Sequence, residues 1–182
     1  CFTTFILSCF LLYLRLFLSL QKNSMTQQRL YTFSQGLQYA KDYCAKQERC
    51  QSQVIEKLTS LGLTKEESED CVAELICEGY INEQRFAELF AVSKFHQNKW
   101  GKIKIAYYLR QKRVSEPCIN KGLEAIDDEE YFSSIREIFS KKYFSISKEK
   151  KIKTKKSFDY LLGKGFAYND IVEAIKDKDY DF

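Results

Sequence analysis

Apolar residues recur along this chain with the period of a helix. Leu37, Ala40, Tyr43 and Cys44 follow the i, i+3, i+6, i+7 spacing of one helix face. Val54, Ile55, Leu58 and Leu61 form the next stripe. Gly62 then stands where a left-handed residue closes a helix. Thr64-Lys65-Glu66-Glu67 has the form of a capping box, in which hydroxyl and carboxylate exchange hydrogen bonds with backbone amides. The helix it opens is expected to bury Val72, Leu75 and Ile76 and to end near Gly79. Asn82 is placed to cap another, carrying Phe86, Ala87, Phe90 and Phe95.

The pattern also repeats on a longer scale. Leu58, Leu109 and Leu161 lie 51 and 52 residues apart. Five residues after each stands Leu63, Val114 or Phe166. Ten after stands Ser68, Ile119 or Ile171, and fourteen after, Val72, Leu123 or Ile175. A unit of about fifty residues that buries too little by itself stacks on its neighbours. The expected fold is all-α, an elongated curved array of three tandem three-helix repeats. The boundaries drawn are an N-terminal helix in 25–53, repeat 1 in 54–104, repeat 2 with a Lys-rich linker in 105–156, and a short repeat 3 in 157–182. The tight turn of the first copy uses Gly62 and that of the third Gly165, whereas the second has Arg113. A left-handed Arg113 costs on the order of 1 kcal/mol relative to glycine. Ser115 is expected to cap the helix after that turn, with Pro117 tolerated in its first turn. Lys141 to Lys156 is read as a helix extension plus a flexible loop.

Composition supports helices. The chain of 182 residues has one Pro and seven Gly, too few for the frequent turns of an all-β protein. The first twenty residues are predominantly apolar with Arg15 as the only charge, long enough to span a bilayer. They lack the basic start and small-residue cleavage site of a secretory signal. The only methionine is Met25, so residues 1–24 are expected to be upstream sequence outside the working protein, a membrane anchor being the alternative. Seven Cys with no C-x-x-C pair make a poor disulfide framework and a poor zinc site. They are expected to be reduced thiols used as small hydrophobes in a cytoplasmic protein.

Residue chemistry for catalysis is sparse. The one histidine, His96, sits among basic residues and is read as a surface group, not a catalytic base. No glycine-rich phosphate loop occurs. Acidic runs such as Asp127-Asp128-Glu129-Glu130 fit helix N-termini. No catalytic residue, metal site, cofactor or small-molecule substrate is expected.

Charge is segregated, and this changes the picture. From Leu89 to Ser115 there is no acidic residue, while Lys94, Lys99, Lys102, Lys104, Arg110, Lys112 and Arg113 stand there with Trp100, Tyr107 and Tyr108 among them. Eight Lys and one acid, Glu149, lie between Lys141 and Lys156. Such blocks neutralise phosphates or meet an acidic protein surface. Lys102 and Lys104 point about 200° apart on a helix, so the basic residues cannot all share one face. Trp100 is either a core anchor or an exposed stacking surface, and Gly101 suits a close backbone approach or a sharp helix entry.

The segment Glu78-Gly79-Tyr80-Ile81-Asn82-Glu83-Gln84-Arg85-Phe86-Ala87 resembles the most recognisable motif of RecX regulatory proteins. Lys99-Trp100-Gly101-Lys102-Ile103-Lys104-Ile105 follows at the expected distance. Asn98 to Ile105, Ala40-Lys41-Asp42-Tyr43-Cys44, Gln47-Glu48-Arg49-Cys50 and Lys164-Gly165-Phe166 are similar to a Bacteroidetes-like branch. The resemblance runs from Leu37 to Ile175, with Gly79, Tyr80, Arg85, Phe86 and Gly101 as its motif residues. It implies three tandem three-helix units and modulation, usually inhibition, of RecA's recombinase and coprotease activities. It also implies binding in the groove of the RecA–DNA filament and contact with single- or double-stranded DNA. A monomer is expected. Two departures stand out: Asn82-Glu83 replaces a common Asp, and Arg113 a common Gly. On this reading Lys94, Lys99, Trp100, Lys102, Lys104, Arg110, Lys112 and Arg113 contact DNA or filament. The alternatives are a general DNA-binding helical repeat without a RecA role, and a membrane-anchored helical scaffold.

Overall fold

The computed structural model describes residues 31–176, so Cys1 to Leu20 and Met25 lie outside the described residues. These residues form nine helices and no strand: α1 (Phe33–Lys46), α2 (Gln51–Ser60), α3 (Lys65–Cys77), α4 (Glu83–Asn98), α5 (Lys102–Gln111), α6 (Glu116–Glu124), α7 (Asp128–Phe144), α8 (Lys150–Lys164) and α9 (Tyr168–Ile175).

Local chemistry sets the helix starts. At α3 the Glu67 amide donates to the Thr64 hydroxyl (3.1 Å), and the Thr64 amide donates to the Glu67 carboxylate (3.0 Å). At α4 the Arg85 amide donates to Asn82 Oδ1 at 2.9 Å. Thr32 and Gln35 build a further capping box at α1. Ser115 occupies the cap position of α6 but makes no cap bond; its hydroxyl donates instead to Glu83 at 2.8 Å. The Glu83 carboxylate on α4 accepts from both the Ser115 hydroxyl and the Ser115 amide (3.3 Å), and so turns the side chain toward α4.

Packing joins the helices in threes. Within α1–α3, α4–α6 and α7–α9 the helices contact one another extensively. Leu58, Leu109 and Leu161 each fall on the middle helix of a set and are fully buried. The carbonyl of each accepts from the amide five residues on: Leu63 (3.3 Å), Val114 (3.1 Å) and Phe166 (3.2 Å). Between them Gly62, Arg113 and Gly165 have φ of 92°, 59° and 87°. The three turns are thus one structure, and Arg113 adopts the strained form of it. Ser68 takes the place that Ile119 and Ile171 fill in the other copies; it is fully buried and its hydroxyl donates to the Thr64 carbonyl at 2.8 Å. The boundaries drawn at 54, 104 and 156 share this period but fall inside α2, α5 and α8.

Two departures from the periodic reading concern side chains and a link. Ile76 is 43% exposed, because Cys71, Val72 and Leu75 already fill the inner face of α3. The Lys-rich segment is mostly helix: α7 runs to Phe144, α8 starts at Lys150, and only residues 145–149 link them.

The core is divided unequally. Ala40, Cys44, Val54, Leu58, Leu63, Cys71, Val72, Leu75 and Ile81 form one cluster within the first set. The second and third sets share one larger cluster, built on Phe95, Ile105, Leu109, Ile119, Tyr131, Ile135, Phe139 and Phe166. Cys50, at the start of α2, reaches into it.

The joint between the second and third sets is a backbone crossing. The Gly101 amide donates to the Lys164 carbonyl (2.9 Å), and the Ile103 amide to the Gly165 carbonyl (3.1 Å). Unpaired amides at the start of α5 thereby meet unpaired carbonyls at the end of α8, which satisfies both helix ends and aligns opposite dipole poles. A Cβ on Gly101 would lie 2.2 Å from the Gly165 oxygen. Glycine here serves close approach.

Candidate nucleic-acid interface

Helices α4 and α5 divide the basic residues among three surroundings. Lys94 and Lys112 both bring their ammonium groups over Phe90, at 5.5 and 5.9 Å. Lys94 also lies 5.7 Å from the Trp100 ring, and Lys104 lies 5.0 Å from the same ring. Trp100 in turn stacks on Tyr108 with centroids 4.6 Å apart. Lys112, Phe90, Lys94, Trp100, Lys104 and Tyr108 therefore make a continuous strip of cations and rings. Among the described residues none of its three lysines has an acidic partner in an ion pair. Trp100 is half-buried, anchored on the core yet open on its edge, and Tyr108 is exposed.

Lys102 points elsewhere, as its spacing from Lys104 requires. It donates to Asp128 at 2.7 Å and lies 4.7 Å over the Tyr131 ring. Lys99 takes a left-handed backbone (φ 54°) that ends α4, and lines a groove with His96, Glu129, Glu130 and Glu137. Arg110 is held by Glu116 through Nε (2.6 Å) and Nη2 (2.9 Å); this pairing raises the arginine pKa and lowers that of Glu116. Arg113 is exposed on its turn. The stretch from Lys94 to Arg113 that reads as one basic block is thus a strip of cations over rings, cations matched by acids from α6 and α7, and the exposed Arg113.

The motif residues sit at joints. Gly79 has φ 79° and lets the Tyr80 amide return to the Leu75 carbonyl at 2.9 Å. Arg85 donates to Glu48 (2.6 Å) and to the Gly79 carbonyl (3.3 Å), tying the first set to the second. Phe86 is buried beneath Phe90, and Lys41 lies 5.9 Å from the Tyr80 ring. Sequence reasoning placed Tyr108 among the basic residues without assigning it to the site, and missed Phe90 as a member of the strip. Their spacing of four from Lys104 and Lys94 on single helices was the available signal.

Residues 82–123, which span α4–α6, match the family model described as RecX, second three-helix domain. The chain is 30% identical over 132 residues to the Regulatory protein RecX of Clostridium acetobutylicum, covering 67% of this chain and 61% of that one. It is 31% identical over 136 residues to the Regulatory protein RecX of Clostridium tetani, covering 73% and 62%. The chain belongs to the RecX family. It spans about three fifths of the length of these curated relatives. The fold also matches the crystal structure of RecX from Lactobacillus salivarius, with a TM-score of 0.73 at 24% identity over 80% of this chain and 95% of that one. These RecX relatives are named as a regulatory protein, not as an enzyme. Among the described residues of this RecX chain, no helix is long and apolar enough to cross a membrane.

Proposed function

We propose that this chain is a regulator of RecA that binds the RecA–DNA filament in the cytoplasm and restrains its recombinase and coprotease activities, in DNA repair and the SOS response. The observation that carries this reading is the strip of Lys112, Lys94 and Lys104 laid over Phe90 and Trp100. Unpaired ammonium groups neutralise phosphates by releasing counterions, and ring edges and faces between them stack on bases. Lys102 and Arg110, already matched by Asp128 and Glu116, contribute less to any outside contact. Likeness to the regulatory RecX proteins supports the filament as the setting. A helical repeat laid along it spans neighbouring protomers and hinders their exchange.

RecA-catalysed ATP hydrolysis on single-stranded DNA, titrated with this chain, tests the reading. Inhibition well below one chain per RecA is expected. No effect from folded chain on a cognate RecA overturns it. The same strip favours one second reading, nucleic-acid binding without RecA. That reading predicts DNA affinity for the isolated chain, with a slope of about −2 in log affinity against log salt for three single-strand phosphate contacts. Lys104→Gln should then lower the slope by about 0.7.

A further inference from the structure

We infer that the cleft between the first and second helix sets is a docking site for an acidic peptide segment with an apolar anchor, supplied by a partner protein. The cleft has a volume of about 360 Å³, within the size range of side-chain and ligand pockets. Phe86, Leu89 and Phe90 of α4 line it on one side, and residues 47–49 with Gln53 on the other. Leu89 is 54% exposed although it sits in a concave wall, so an apolar surface is left uncovered where a side chain would fit.

Charge decides the kind of partner. Three cations line the cleft: Arg49, Lys94 and Lys112. Arg49 is held in place by stacking 4.2 Å over the Tyr43 ring, and Lys94 and Lys112 by Phe90. The one carboxylate there, Glu48, is already engaged by Arg85 at 2.6 Å. The rim is therefore net positive around an apolar floor. A peptide placing a leucine- or phenylalanine-like side chain beside carboxylates matches both features. Nucleic acid matches them less well, since its phosphates follow an open track of cations and its bases seek flat ring faces, as the Trp100–Tyr108 stack offers. A docked segment would also bridge two sets that are joined at this edge by the buried Cys50 and two polar contacts, the Ser52 hydroxyl to the Lys112 carbonyl (2.7 Å) and Arg85 to Glu48.

The proposal does not rest on the strip's reading as a nucleic-acid surface, and the test separates the two. Fluorescence polarisation would follow the full chain binding a short labelled peptide of repeating glutamate, aspartate, leucine and phenylalanine. A control peptide carries alanine in place of the apolar residues, and an oligo-deoxythymidine is measured beside them. Expected are salt-sensitive binding of the first peptide, little binding of the control, and a loss of about tenfold or more in Leu89→Asp and in Arg49→Glu. Leu89 is exposed, so Leu89→Asp keeps the test intact should Arg49→Glu unfold the first set. Lys94 and Lys112 belong to both surfaces, so oligonucleotide affinity is compared in the uncharged Leu89→Ala, where it is expected to be unchanged while peptide binding falls. Absence of peptide binding, or binding indifferent to Leu89→Asp and Leu89→Ala, overturns the proposal. So does an oligonucleotide that binds in the peptide's place and is weakened by Leu89→Ala; that outcome assigns the cleft to nucleic acid.

Discussion

Glycine positions in this chain differ in what they demand, and the differences are measurable. A Cβ at Gly101 would press on Gly165 backbone at 2.2 Å, and backbone has nowhere to go without parting α5 from α8. Gly101→Ala is expected to lower the unfolding free energy by about 1–3 kcal/mol in a urea titration. Gly163 lies on the outside of α8 with nothing within 4 Å of an added Cβ. Gly163→Ala should raise stability by roughly 0.5–1 kcal/mol, since alanine restricts the unfolded chain and favours helix. Equal effects of the two would refute the crossing. Arg113 gives the opposite case, a side chain where glycine fits better. Its φ of 59° was legible from the repeat alone, because Gly62 and Gly165 occupy the same step. What the repeat could not show was the partner of each charge. Arg110 belongs with Glu116 and Lys102 with Asp128 only because α6 and α7 pack where they do.

Between elements, Tyr131 on α7 is a joint of another kind. It is buried against Phe95 of α4 and Phe166 of the α8–α9 turn, and its hydroxyl donates to Asp170 of α9 at 3.0 Å. Burial first, and the Asp170 charge second, push its pKa upward, so the hydroxyl stays a donor through the whole working pH range. Tyr131→Phe keeps the ring contacts and removes one hydrogen bond to a half-exposed carboxylate. A loss of about 1 kcal/mol is expected by thermal or denaturant unfolding, with no change in the helical circular dichroism. A much larger loss would mean that the hydroxyl holds α9 in place. Helix starts at Thr64 and Asn82 could be read from sequence because a cap and the amide that donates to it are three residues apart. The Ser115 hydroxyl could not, since the carboxylate that takes it, Glu83, is on a different helix. The cysteines belong at this scale as well. Cys71 is fully buried on α3 and burial pushes its thiol up to about 11, whereas Cys77 one and a half turns on is exposed. Mass mapping after brief treatment with a thiol reagent should find Cys77 modified and Cys71 intact until the chain unfolds.

At the scale of the whole molecule, the division of the core is the property with consequences. The first set buries its own cluster of nine residues, and the other two sets share a continuous one. Small separate cores open at lower free energy than large shared ones. Contacts between the first set and the rest include Cys50, Arg85 with Glu48 and the Gly79 carbonyl, and the Ser52–Lys112 bond, most of them polar. The sets should therefore differ in native-state hydrogen exchange. Amides of α1–α3 are expected to exchange through an opening that leaves α4–α9 protected. Val54→Ala, inside the first cluster, should speed exchange in α1–α3 and leave α7–α9 unchanged. Ile135→Ala, inside the shared cluster, should speed it across α4–α9 together. Uniform acceleration by both variants would show one cooperative unit instead. The distinction reaches function: a first set that opens independently sets the width of the cleft lined by Arg49, Leu89 and Lys112, and a partner that fills that cleft should slow exchange in α1–α3 more than anywhere else.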